Sequence, residues 1–153
     1  MPLTPSLISK LKNDNPTLIF IEAEHFSWSA EESTISYRAD DPHADALLLH
    51  EISHAHLEHA DYSRDVELLR MEAAAWDAAK ELANTYGSSV DEDTAEDNLD
   101  TYREWLHARS TCPACNATGY QTGRTAYACP ACTHTWRVNE ARSCRLQRYS
   151  KRT

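Results

Sequence analysis

Four of the five cysteines in this chain form two pairs, Cys112-Pro-Ala-Cys115 and Cys129-Pro-Ala-Cys132, separated by thirteen residues. No other feature constrains the fold as tightly. Each CxxC turn can present two thiolates to one ion, and two such turns complete a tetrahedral four-sulfur site with no position left for water. All five cysteines lie beyond residue 110, and the opening MPLTPSLISK lacks the basic and apolar stretches of a secretory signal. The expected compartment is therefore the cytoplasm, and the expected partner of these thiols is zinc rather than a disulfide. The role of such a closed site is structural, because a segment of about 40 residues has too little core to fold without the metal. Cys144 is left over and reads as a free thiol.

A length of 153 residues allows one compact domain and a small module. The longest apolar runs, such as Leu18 to Ile21, are far shorter than the roughly 20 residues of a membrane span. Charge divides unevenly: residues 1–100 carry 6 Lys and Arg against 22 Asp and Glu, whereas residues 101–153 carry 9 against 2. Composition changes abruptly near Ser110, so the expected division is 1–109 and 110–153. In the second part Arg124, Arg137, Arg142, Arg145, Arg148, Lys151 and Arg152 interleave with Tyr120, Tyr127, Trp136 and Tyr149. Cations can contact phosphates and aromatic rings can stack on bases, so the five named arginines from Arg124 to Arg148 are candidate nucleic-acid contacts. The competing reading is that these charges complement the acidic first part.

Before the cysteines the chain reads as mixed helix and strand. Thr4 and Pro5 fit the N-cap and first position of a short helix carrying Leu7, Ile8 and Leu11 on one face, with Leu3 placed to staple onto Ile8. Thr17 to Ala23 and Thr34 to Ala39 are β-rich, and the polar stretch between them reads as a long hairpin loop. Asp41 and Pro42 should start a helix that runs to about His59. A second long helix should begin just after Ser63 and stop at Gly87. A third, from about Asp93 to Arg109, lines up Ala95, Leu99, Tyr102 and Leu106.

Within the first long helix lies His50-Glu51-Ile52-Ser53-His54, an HExxH sequence. Residues four apart share a helix face, so both imidazoles can reach one zinc ion. Glu51 lies beside that face, where its carboxylate can take a proton from an attacking water. A catalytic zinc needs a third protein ligand. From Ile52 to the helix end near Ala60 is about 12 Å, and an antiparallel helix starting near Ser63 returns to that level after about nine residues, at Glu72. Glu67 falls short of that level and Glu81 lies beyond it. Glu72 also interrupts an apolar stripe, where ligation would relieve the cost of a buried carboxylate. His59 is about half a turn round from the ligand face and no glycine follows His54, so His56 and His59 are expected to face solvent or to polarise substrate.

HEISHAHLEH followed by MEAAAWDAAKEL resembles the ImmA/IrrE family of small gluzincin metallopeptidases over roughly residues 35–84. In that family an HExxH helix is followed by a helix beginning Glu-Ala with an aromatic residue four positions after the Glu, as Glu72, Ala73 and Trp76 stand here. The resemblance implies His50, His54 and Glu72 as zinc ligands, Glu51 as general base, and a DNA-bound regulator as protein substrate. It departs from some other gluzincins in having Trp76 where they carry Asp. SprT-like proteases, which also carry zinc-ribbon tails, are the second resemblance, but no HGxxF-like segment with a third histidine follows the motif.

The expectation is thus an α+β minimal zincin domain, with a small sheet, an HExxH helix and a Glu helix, followed by a C-terminal zinc ribbon. It should bind two zinc ions, one catalytic and one structural, and cleave a regulatory or DNA-associated protein. The strand at Thr34 to Ala39, as a sheet edge, would pair with the extended substrate, with Phe26 and Trp28 lining the groove. The oxyanion partner would come from His56, His59, Tyr62 or Tyr102. The alternatives are a SprT-like protease or a non-enzymatic adaptor in which the ribbon binds nucleic acid.

Overall fold

A computed structural model describes residues 5–139 and the backbone of 150–151. It is mixed α and β, with helices α1 (Pro5–Asp14), α2 (Ala44–His56), α3 (Asp65–Thr85) and α4 (Glu92–Ser110). Strands β1 (Ile19–Glu22), β2 (Ser27–Ser29) and β3 (Thr34–Tyr37) precede α2. Strands β4 (Tyr120–Gly123), β5 (Ala126–Ala128), β6 (Thr135–Val138) and β7 (Ser150–Lys151) follow α4. No helix among the described residues is long and apolar enough to cross a membrane. The expected cap at Thr4, the staple from Leu3, and Arg142, Cys144, Arg145, Arg148, Tyr149 and Arg152 lie outside the described residues.

Two compact units emerge, Met1–Asp61 with Met71–Ala95 and Tyr62–Arg70 with Glu96–Thr153. In the first, α1 buries Leu7 and Leu11, and β3 buries Ile35 and Tyr37. Burial in α2 is unbroken from Leu48 to His54, as in a helix covered on every side. Its start differs from the sequence reading. Asp41 Oδ1 accepts the His43 N–H at 2.7 Å in a preceding turn, so the helix begins at Ala44, three residues after Asp41. α3 contributes Ala75, Trp76, Ala79 and Ala83 to the core of this unit.

The first sheet corrects two expectations. Its order is β1-β3-β2, with β1 parallel and β2 antiparallel to β3. β3 is therefore the central strand and its edges are already paired. The stretch read as a hairpin loop contains β2, and that strand escapes a pattern search because an edge position does not require two apolar faces. β1 is more exposed than its composition suggests, with Ile19 53% and Ile21 49% accessible.

In the second unit, α4 buries Leu99, Tyr102 and Trp105; Tyr102 and Trp105 cluster with Leu68, and Tyr62, Leu69 and Leu106 pack alongside. Arg109 continues this helix face into the interior and carries its charge with it. Its Nε donates to Asp65 Oδ2 at 2.8 Å, and Tyr127 Oη donates to the same oxygen at 2.6 Å. Arg109 also donates to the Asn139 carbonyl at 2.6 Å and lies 4.7 Å from the centre of the Trp105 ring. Burial, then the Asp65 carboxylate, pushes the Tyr127 phenol well above its ordinary pKa. The C-terminal sheet runs β4-β5-β6-β7, all antiparallel. It packs Tyr127 and Trp136 inward with Cys112, Cys129 and Val138. Trp136 Nε1 donates to the Arg109 carbonyl at 2.9 Å.

Two outcomes follow for stability of the zinc-loaded chain, both read by equilibrium urea unfolding. Asp65→Ala would leave the buried Arg109 charge without its carboxylate and the buried Tyr127 phenol without its acceptor, and should cost about 3–5 kcal/mol. At Gly119 a Cβ would overlap the Trp136 ring and meet the Ala128 carbonyl at 2.9 Å, so Gly119→Ala should cost about 1–3 kcal/mol. Wild-type midpoints in either variant would contradict these packing arguments.

Candidate metal centres

His50 and His54 are one helical turn apart on α2, and α3 brings Glu72 against both. Glu72 Oε1 lies 3.0 Å from His50 Nε2, and Oε2 lies 3.0 Å from His54 Nε2. Glu51 Oε2 is 3.2 Å from His50 Nδ1. All four side chains are buried. Ligand-capable atoms of His50, Glu51 and His54 lie within 4.8 Å of one another, a grouping able to hold a metal ion. Trp76, one turn beyond Glu72, stacks on His50 with ring centroids 4.2 Å apart and planes at 12°. That contact fixes the plane of the imidazole.

The electrostatics are those of a tightly coupled cluster. Burial pulls His50 down, but the carboxylates of Glu51 and Glu72 outweigh it and raise the imidazole to about 9. Burial pushes Glu72 up, but the two imidazoles outweigh it and bring the carboxyl down to about 2. Glu72 is therefore an anion held between two imidazoles. Yet His50 Nδ1, His50 Nε2 and Glu72 Oε1 have no aligned hydrogen-bond partner despite these short distances. Their atoms are close but badly oriented for N–H donation, and buried polar groups left this way are costly. A cation between His50 Nε2 and Glu72 Oε1 would satisfy both of those atoms, leaving His50 Nδ1 facing Glu51. Two imidazoles and a carboxylate fit a zinc site with three protein ligands.

The end of α2 gives His59, expected to face solvent or to polarise substrate, a contact with His54 that the sequence reading did not foresee. The helix stops at His56, not His59. The Glu58 N–H bonds the Ala55 carbonyl and the His59 N–H bonds the His54 carbonyl, both at 3.0 Å, while Glu58 takes φ 56°. This is a Schellman turn with a glutamate in the left-handed position. His59 consequently folds back, with its Nδ1 2.8 Å from His54 Nδ1 and the ring centroids 5.1 Å apart. Burial, then the neighbouring His54, holds His59 below the ordinary imidazole value. Trp28 Nε1 donates to the His59 carbonyl at 2.9 Å. His56 is exposed and pairs with Asn15 at 2.7 Å. Tyr62 and Tyr102 lie in the cluster of the second unit.

The four cysteines form the other candidate centre. Cys112 and Cys132 sulfurs are 3.6 Å apart, and those of Cys115 and Cys129 are 3.5 Å apart. Disulfides would require about 2.05 Å, and none joins these four cysteines. Sulfurs placed tetrahedrally about 2.3 Å from a common centre stand about 3.8 Å apart, slightly more than these do. The two knuckles repeat one geometry: the Ala114 N–H bonds Cys112 Sγ at 3.4 Å and the Ala131 N–H bonds Cys129 Sγ at 3.3 Å. Asn116 and Thr133, each directly after a second cysteine, take φ 67° and 66°. The Cys132 N–H on the Cys129 sulfur, opposed by burial and joined by the Ala131 N–H, favours the thiolate there. This four-sulfur cluster is consistent with a zinc ribbon and compatible with zinc. Arg124 and Arg137 lie exposed near the ribbon sheet.

Comparison with protein-family models, with curated proteins and with solved structures found no match.

Chelation should separate the two candidate centres, because one offers two imidazoles and a carboxylate and the other four sulfurs. Protein purified with zinc should contain two ions per chain and lose them in two stages. Glu72→Ala should lower the count to one by atomic emission while the four-cysteine metal stays. A count that remains at two in this variant would remove Glu72 from the donor set.

Proposed function

We propose that this chain is a zinc-dependent metallopeptidase of the HExxH-plus-glutamate type. The observation that carries this reading is Glu72, a buried carboxylate reaching both HExxH imidazoles at 3.0 Å while polar atoms of the cluster lack aligned partners. The ImmA/IrrE resemblance of the sequence points the same way.

A zinc ion in this cage would supply Lewis acidity, lowering the pKa of water and polarising the scissile carbonyl. The chain supplies the rest. His50, His54 and Glu72 would hold the ion, and Trp76 keeps the His50 ring in one plane. Glu51, beside the ligand face, would accept the proton of the attacking water and pass it to the leaving amine. β2 replaces β3 as the strand for substrate pairing: it packs with β3 against α2 and has no strand on its outer side among the described residues. An extended peptide could add to that edge through main-chain hydrogen bonds, and half-buried Phe26 and Trp28 would flank it. The proposed substrate is a regulatory or DNA-associated protein, supported by the family resemblance and by the excess of Lys and Arg over residues 101–153.

Glu51→Gln tests the activity. Gln preserves shape but cannot take the proton, so peptide cleavage should fall about 10²- to 10⁴-fold while both metals remain. The readout is a comparison of cleaved N-termini in cells expressing wild type and variant. Products that persist undiminished with Glu51→Gln would exclude Glu51 as the base.

A further inference from the structure

We propose that His59 is a positioning residue for the metal centre, fixing the protonation and orientation of His54 through an imidazole-to-imidazole hydrogen bond. The inference rests on the metal-binding reading of His50, His54 and Glu72, and extends it to a residue outside the HExxH motif.

Proton placement gives the bond its direction. His54 faces Glu72 through Nε2 at 3.0 Å and faces His59 through Nδ1 at 2.8 Å. To ligate a metal through Nε2, a neutral imidazole must carry its proton on Nδ1. His54 Nδ1–H is then the donor, and His59 Nδ1 is the acceptor with its own proton on Nε2. The opposite arrangement would put a proton on His54 Nε2 and block ligation. His59 thus selects the tautomer of His54 that a metal needs, a task usually given to a carboxylate or a backbone carbonyl.

The backbone around His59 is built to hold this contact. The left-handed Glu58 and its two reversed hydrogen bonds return the chain to the last turn of α2. The indole of Trp28 on β2 then holds the His59 carbonyl at 2.9 Å. His59 is tied at its N–H to the carbonyl of His54, the same residue whose ring it contacts. Backbone and side chain of one ligand therefore both meet His59. A solvent-facing histidine would require neither restraint.

Three variants test the assignment, with zinc affinity at the labile site read by competition with a chelating indicator and the four-cysteine zinc serving as an internal reference. His59→Ala removes the acceptor and should weaken the labile site about 10- to 100-fold. His59→Asn can place its side-chain oxygen near the former Nδ1 and should recover most of that loss. His59→Gln, whose oxygen reaches further out, should not. Wild-type affinity in His59→Ala, or equal affinity in the Ala and Asn variants, would overturn the positioning role. Failure of the underlying reading looks different: wild-type protein would then hold only the ribbon zinc, and no variant could alter a second site.

Discussion

A carboxylate buried between two helices is costly unless something positive or proton-bearing meets it, and Glu72 is the point at which the first unit meets that requirement. Each of its oxygens lies 3.0 Å from an imidazole of α2. Much of the local architecture follows from accommodating that group. α2 must be covered on every side to desolvate His50 and His54, which is why its burial runs without interruption from Leu48 to His54. α3 must present Glu72 and then, one turn later, a flat ring to back the His50 imidazole, and Trp76 does this at 4.2 Å. The HExxH spacing alone would allow two solvent-exposed histidines; the buried glutamate draws both imidazoles into one buried cluster.

α3 brings a second buried carboxylate to the other unit. Asp65, at the first position of the helix, accepts from both Arg109 and Tyr127, and its own N–H bonds the side chain of Gln121 at 2.7 Å. Arg109 belongs to α4 while Tyr127 and Gln121 belong to the ribbon strands. One buried anion therefore joins three segments that are distant in sequence. A closed four-sulfur site can hold two knuckles together, but it cannot orient them against a helix. The Asp65 network and the bond from Trp136 to the Arg109 carbonyl supply that orientation.

Legibility in the sequence followed how local each determinant is. HExxH, Glu72 and the two CxxC pairs could be found because helix rise and turn spacing are short-range rules, and the structure brings these residues into two clusters. The stop of α3 was visible for the same reason: Gly87 takes φ 66° and the Ser88 N–H returns to the Ala83 carbonyl at 2.8 Å. α2 ends with the same hydrogen-bond pattern, but its left-handed residue is Glu58, so nothing in the composition marks it. A helix drawn on to His59 points that ring away from His50 and His54; a helix stopped at His56 points it at His54. β2 was hidden because Ser27, Trp28 and Ser29 owe their strand conformation to pairing with β3. The burial of Arg109 could not be read from the pattern of its own helix, because its partner lies 44 residues away.

The left-handed glutamate has an energetic meaning as well as a geometric one. A non-glycine residue in that region costs about 1–2 kcal/mol, and the surrounding structure must over-determine the turn for it to persist. At Glu58 the over-determination is on view: two backbone bonds close the turn from within, Trp28 holds the next carbonyl from β2, and the His54 ring meets His59. Glycine would remove the strain in the folded chain, but it would also widen the conformations open to the unfolded segment. The two effects oppose one another. A glutamate is strained in the folded turn yet leaves the unfolded segment fewer conformations to lose, so the stability of the turn that carries His59 is set by the difference between these two terms.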